Sequence, residues 1–129
     1  MSPEKKKKVA RLLGLPVTDN TKEEVIYNQV DNILKQTEFK NGKYQGLSTV
    51  EIFNRFADMK ENLLHIKDLV KQAFDHSIYR TRPDGRVYEG EFEIARDEDE
   101  LVKFLADDDN QDQLLVLEGK LKVKKIAAV

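Results

Sequence analysis

The chain has 129 residues, of which 40% are hydrophobic and 36% charged, and it contains no Cys. This length suits one domain, or one domain with a small appendage. The absence of Cys excludes disulfides and thiolate zinc sites, and no apolar run approaches the ~20 residues that span a membrane. The lysine-rich start lacks the apolar run of a secretory signal. We therefore expect a cytoplasmic protein, or one made in the cytoplasm and incorporated into an assembly.

The net charge of −2 conceals an uneven charge distribution. Residues 1–13 are strongly basic, residues 84–112 are strongly acidic, and residues 113–129 are basic again. Basic ends around an acidic middle would suit contact with an anionic partner, and they would also suit head-to-tail self-association.

Capping residues predict two helices at the start of the chain. Ser2 as N-cap in front of a proline opens the first helix, and Gly14 ends it. Thr21 and Glu24 have the spacing of a capping box, which predicts that the second helix begins there. Apolar residues at helical spacing continue that helix, so residues 1–36 are expected to form a helical hairpin.

The sequence LLGLPV at 12–17, a polar linker and the pair Thr21-Lys22 resemble the helix–extended–helix module of the SAP or HeH type. That family binds DNA, so the resemblance, which covers residues 5–34, implies phosphate contacts near the start of the second helix. Basic residues of the first helix would add contacts whose affinity falls steeply with salt. The candidate DNA-contacting residues are Lys5, Lys6, Lys7, Lys8, Arg11, Thr21 and Lys22. A plain helical hairpin suits the same pattern.

The longest predicted helix runs from Ser48 to Asp75. Ser48 and Glu51 form a capping box, and no Gly or Pro follows before Pro83. At about 1.5 Å per residue a continuous helix of this length would reach roughly 40 Å. A break near residues 60–62, which would give two helices, is the alternative.

Apolar residues of this segment recur at alternating spacings of four and three, which is typical of a coiled-coil seam that binds a protein partner. Further apolar residues widen the seam into a broad stripe, which is typical of a core helix covered by the rest of the chain. Both interpretations stay open. The candidate partner-binding residues are Ile52, Phe56, Met59, Leu63, Ile66 and Val70.

Turn residues predict the remaining irregular and extended segments. Asn41-Gly42 predicts a short two-stranded turn or an ordered loop in which Phe39 faces Tyr44. Pro83-Asp84-Gly85 predicts the turn of a β-hairpin. Beyond it, strict alternation of apolar and acidic residues over 88–94 predicts a strand with one buried face.

The last part of the chain is predicted as a short helix followed by a strand. Asp97 and Glu100 cap the helix, and alternation over 114–129 favours the strand, although a helix there stays open. The predicted fold class is α+β, with the helical hairpin and one long central helix packed with a small antiparallel sheet. We expect residues 37–129 to form one compact domain together with the hairpin.

Motifs of catalysis are missing from the sequence, which has no G-x-S-x-G, H-E-x-x-H or Walker A pattern. We therefore expect no enzyme, no cofactor and no small-molecule substrate.

Residues 107–118 resemble a calcium-binding EF-hand loop by count, but Asp112 stands where the loop needs Gly. A solvated acidic loop is the alternative, and we expect no metal site.

Two hypotheses follow for function. The first is a non-catalytic assembly or adaptor component of a macromolecular complex, such as a virion accessory protein, that binds protein through the long helix and a sheet edge. The second is a DNA-associated accessory protein that uses the SAP-like or HeH-like segment.

Overall fold

The computed structural model describes residues 1–127, and over that range the chain has the predicted α+β fold. Its three strands form an antiparallel sheet in the order β1-β2-β3. The elements in chain order are α1 (Pro3–Leu12), α2 (Glu23–Leu34), α3 (Thr49–Ala57), α4 (Glu61–Asp75), β1 (Arg80–Thr81), β2 (Val87–Glu89), β3 (Phe92–Ala95), α5 (Glu98–Ala106), a 3-10 turn (Asp108–Asn110) and α6 (Gln111–Ala127).

Contacts divide the chain into two compact units, Met1–Asp68 and Leu69–Val129. The first unit contains α1, α2, α3 and the beginning of α4. The second contains the end of α4, the sheet, α5 and α6. The predicted hairpin of residues 1–36 is one part of the first unit, and its union with residues 37–129 in one compact domain stays a prediction.

Helix α1 begins and ends at the predicted residues. The Ser2 hydroxyl accepts a hydrogen bond from the backbone N–H of Lys5 at 3.2 Å. Gly14 takes φ +90°, where a side chain would be strained, and this turn lets two N–H groups donate back to carbonyls of the last helical turn. The helix then packs against both α2 and α3.

Helix α2 begins after Thr21, so the predicted capping box is wrong. Lys22 is the N-cap residue, and its side chain makes no capping hydrogen bond. The Thr21 hydroxyl instead accepts a hydrogen bond from the backbone N–H of Thr18 at 2.9 Å. The Thr21 hydroxyl therefore stabilises the linker turn between the two helices and does not cap α2.

The segment 48–75 is two helices, so the prediction of one long central helix is wrong and the alternative of a break is correct. The break covers Asp58 to Lys60. Ile52 and Phe56 of α3 and Leu64 of α4 belong to the same buried cluster of the first unit. In a straight helix of about 40 Å, the two halves could not both pack against one small core. The helix is therefore interrupted, because packing against the shared core contributes more stability than continuing the helix.

The connection between α2 and α3 is an ordered loop with two isolated bridges, Glu38 with Ser48 and Phe39 with Gln45. Phe39 is buried, and its ring centroid lies 5.8 Å from that of Tyr44. The predicted contact between the two rings across the turn is therefore present.

The sheet has one more turn than the sequence pattern predicts. The turn at residues 83–85 joins β1 to β2, but a second turn at Gly90-Glu91 interrupts the alternating segment and gives two strands. The predicted common buried face is wrong, because Phe92 is 80% exposed whereas Val87 and Ala95 are buried. A bulge after Val87 shifts the register between β2 and β3.

Residues 111–127 form helix α6, so the predicted C-terminal strand is wrong; residues 128–129 lie outside the described range. Leu114, Leu117 and Leu121 are buried at spacings of three and four, and α6 packs against α5. Helix α5 is capped by Asp97 as predicted, and it also packs against β3.

Candidate functional site: an exposed apolar face on α6

The candidate partner-binding residues of segment 48–75 lie mostly in the interior. Ile52, Phe56, Ile66 and Val70 are buried. Met59 and Leu63 are half-buried. Helices α3 and α4 therefore use this stripe to build the protein's own core, and these four buried side chains are not accessible to a partner in the observed structure.

Arg11, a candidate DNA contact, is buried in a network of carboxylates within the first unit. Its Nε and Nη2 atoms donate to the two carboxylate oxygens of Asp68, at 2.8 and 3.0 Å, and its Nη1 donates to Asp19 at 3.1 Å. Burial by itself would lower the pKa of Arg11, but the charges and hydrogen bonds of Asp68 and then of Asp19 raise it. The guanidinium therefore holds α1 to α4 and is turned away from solvent.

Two of the other basic candidates, Lys6 and Lys7, have acidic neighbours. Lys6 lies 3.9 Å from Glu23, and Lys7 lies 3.7 Å from Glu4. Glu23 lies in the first turn of α2, where a phosphate would be expected to bind, and it offsets positive charge there. Of the remaining candidates, Lys5, Lys8 and Thr21 are half-buried, and Lys22 is exposed.

Helix α6 has apolar residues on two opposite faces. One face carries the buried leucines that pack toward the second unit's interior. The other carries Val116, Val123 and Ile126, which are 50%, 67% and 75% exposed. With Gly119 they recur at spacings of three, four and three, which places them along one line about 15 Å long. We call Val116, Gly119, Val123 and Ile126 the α6 ridge.

A groove of about 610 Å³ runs beside the ridge, within the second unit. It is lined by Ile78, Glu89, Gly119, Lys120, Val123 and Lys124. Lys120 forms an ion pair with Glu89 at its edge. The volume lies in the range of grooves and pockets that accept one or more side chains of a ligand.

Gly119 belongs to the α6 ridge and also lines the groove, and it has no side chain to fill either. It has ordinary helical geometry, and a Cβ atom added there would meet no atom within 4 Å. Glycine inside a helix costs about 1 kcal/mol relative to alanine. No packing restriction among the described residues accounts for that cost, whereas close approach by another molecule would.

Tyr79 lies beneath the same edge of the second unit. Burial raises the pKa of Tyr79 to about 12, and the negative charge of Glu89 contributes to the increase. Its ring also packs edge-to-face on Phe74, with centroids 6.0 Å apart. Together with Glu89 and Lys120, Tyr79 also lines a small cavity of about 70 Å³ beside α6.

Sequence reasoning missed the α6 ridge because it interpreted the segment as a strand. Two apolar faces on one helix produce a near-alternating pattern that mimics the period of a strand. The spacing of Val116, Gly119, Val123 and Ile126 was visible in the sequence, and testing it against a heptad would have found the ridge.

Metal and membrane sites receive no support from the part of the chain that the structure describes. Over residues 1–127, no group of three or more His, Asp or Glu side chains is placed to hold a metal ion. From Gln111 onward the EF-hand-like segment is helical, so it cannot wrap around a calcium ion. In the same range, none of the helices combines the length and the apolar character that a membrane span requires.

Comparison with family models, with curated proteins and with solved structures gives no match.

Proposed function

We propose that this chain is a non-catalytic component of a protein assembly that binds protein through the α6 ridge and its groove. The observation that carries the proposal is the second apolar face of α6, which stays exposed although the opposite face packs into the second unit. A helix that is apolar on both faces is typical of an element buried between two partners.

The ridge supplies part of the free energy of an interaction. Complete burial of a Val or Ile side chain contributes about 1.5–3 kcal/mol, and the ridge offers three such side chains that are 50–75% exposed, so their gross contribution stays below about 9 kcal/mol. Association costs several kcal/mol in lost freedom and a micromolar dissociation constant needs about 8 kcal/mol net, so these three side chains alone do not reach micromolar affinity. Additional contacts in the groove would increase the affinity.

The sheet edges are less suited to the same task. β1 has two residues and β3 has four. Strand addition needs a longer row of unpaired backbone groups, so the ridge is the better candidate within the first hypothesis.

Site-specific photocrosslinking in the cells that make the protein tests this proposal. A photoreactive phenylalanine analogue at Val123 should give discrete protein adducts, because that side chain is 67% exposed and central in the ridge. Lys35 is the matched control position, since its side chain is 70% exposed in the other unit. Adding Val116→Asp should remove the Val123 adducts. Identical adduct patterns at positions 123 and 35 would contradict the proposal.

The alternative is a DNA-associated accessory protein acting through α1 and α2. It is supported by the packing of these helices as a hairpin and by the partly exposed Lys5 and Lys8. Fluorescence anisotropy of a labelled duplex at low and moderate salt tests it. Binding that weakens steeply with salt and disappears on charge reversal at residues 5–8 would support this alternative. Flat anisotropy at both salt concentrations would remove it.

A further inference from the structure

The most exposed large apolar side chain in the described part of the protein is Phe92, at 80%. It begins β3, directly after the two-residue turn Gly90-Glu91, in which Gly90 takes φ +62°. The tight hairpin turn holds the backbone of this residue in a fixed position, so binding costs little backbone freedom. The ring therefore projects into solvent from a fixed point of the sheet.

The hairpin tip and the groove have complementary charges. Phe92 is flanked by Glu91 and Glu93, whereas Lys120 and Lys124 line the groove. Glu93 is already paired with Arg86, at 2.9 Å, and Lys120 with Glu89. An apolar ring with an acidic neighbour thus matches an apolar groove with a basic rim.

The projection and the groove lie on one surface of the second unit. Phe92 is the cross-strand partner of Glu89, and directly opposed residues of an antiparallel pair share one face of the sheet. Glu89 itself lines the groove and reaches Lys120 of α6. A patch that carries both a projection and a matching recess is self-complementary, which is the requirement for a two-fold interface.

Building on the function proposed above, we infer that the occupant of the groove is a second copy of this chain. The Phe92 ring of each copy enters the groove beside Gly119 of the other, and Glu91 of each approaches Lys124 of the other. The missing side chain at Gly119 leaves the space that the ring fills. The two rings and the two α6 ridges together form the interface of a closed dimer.

Sedimentation equilibrium of the purified full chain over a wide concentration range tests this inference. The expected result is a reversible dimer with a micromolar dissociation constant. Phe92→Ser removes the projection, and Gly119→Leu fills the recess without helix strain; each should weaken dimerisation about tenfold or more. Tyr27→Ser is the control, because Tyr27 is 60% exposed in the other unit and should leave the dimer unchanged. Circular dichroism verifies that each variant is folded.

Mixing the two weakened variants gives a sharper result. A mixed dimer retains one intact contact, the Phe92 ring of the Gly119→Leu copy in the open groove of the Phe92→Ser copy. Association in the mixture should therefore exceed that of either variant alone. Glu91→Lys and Lys124→Glu should each weaken the dimer a few-fold, and their combination in one chain should restore it.

Several outcomes would overturn the inference. These are a monomer at all concentrations, a dimer unaffected by Phe92→Ser, open-ended oligomers, and no recovery in the mixture. The crosslinking experiment at Val123 distinguishes this failure from failure of the proposed function. Adducts with a different protein would leave the α6 ridge as a binding surface and exclude the second copy as its occupant, whereas a pattern identical to that of Lys35 would remove both.

Discussion

Replacing Arg11 by methionine should strongly destabilise the first unit, because it leaves the carboxylate of Asp68 buried without its guanidinium partner. The Asp68 side chain is 2% exposed, and the Arg11 side chain is 10% exposed. Both carboxylate oxygens accept hydrogen bonds from Arg11. Removing one member of such a buried pair typically costs about 3–5 kcal/mol. That is a large fraction of the 5–15 kcal/mol that stabilises a typical native protein.

The same geometry predicts different results for two related variants. Asp19→Asn should cost less than about 1 kcal/mol, because the Asp19 side chain is 55% exposed and solvent screens its interaction with Arg11. The double variant Arg11→Met with Asp68→Leu should regain most of the stability lost by Arg11→Met alone, since apolar side chains of similar size can replace a buried ion pair.

Urea unfolding followed by circular dichroism gives the free energy of unfolding of each variant. The free energy of unfolding should fall in the order wild type, Asp19→Asn, double variant and Arg11→Met, with the last clearly the least stable. A loss below about 1 kcal/mol for Arg11→Met would refute it. A double variant no more stable than Arg11→Met would also refute it, because the cost would then arise from lost packing around Arg11 and not from loss of the ion pair with Asp68.

Three further predictions concern the second unit. The pKa of Tyr79 is about 12 in the folded protein, against about 10 in an unfolded chain. This difference favours the folded state below pH 10. We expect up to about 2 kcal/mol of this stability to be lost between pH 10 and 12. Tyr79→Phe should lose less free energy of unfolding than the wild type over that pH interval, as measured by urea titrations. An equal loss would contradict the assignment of this pH dependence to Tyr79. Gly119→Ala should raise stability by about 0.5–1 kcal/mol in thermal unfolding, because the added Cβ has open space and the helix propensity improves; a lower melting temperature would argue against that open space. Asp97→Ala should cost about 1 kcal/mol, since its carboxylate accepts the Glu100 N–H at 2.8 Å as helix cap, and an unchanged melting temperature would show that this cap contributes nothing.

Local signals in the sequence were sufficient for the ends of several elements. Ser2, Gly14 and Asp97 mark helix ends through interactions within a few residues, so their roles could be inferred without knowledge of the fold. The turn at residues 83–85 was predictable for the same reason. The α+β class followed from the sum of such local features.

Features that depend on distant residues could not be predicted in this way. The break between α3 and α4 contains no Gly or Pro, and it follows from the shared core that both helices cover. Arg11 belonged to a visible basic run, but its partner Asp68 is 57 positions away. The sequence could not indicate that this cation is used inside the fold.

The candidate surface was missed for a different reason. The spacing of the α6 ridge is local and present in the sequence, but the leucines on the opposite face add a second pattern that hides it. Phe92 was assigned to a buried face because Gly90 fits the alternation as well as it fits a turn. In both places two local patterns compete, and only packing selects between them.

The position of the division between the units has a consequence for dissecting the protein into fragments. The division falls between Asp68 and Leu69, in the middle of the continuous helix α4. A fragment that ends at residue 68 would leave the last four carbonyls of a truncated helix without partners, next to the buried carboxylate that binds Arg11. A fragment of the first unit should therefore extend to Asp75, and one of the second should begin at Glu61. The two minimal fragments therefore both contain the whole of α4. They cannot be recombined as a simple split protein, because the recombined pair would contain two copies of that helix.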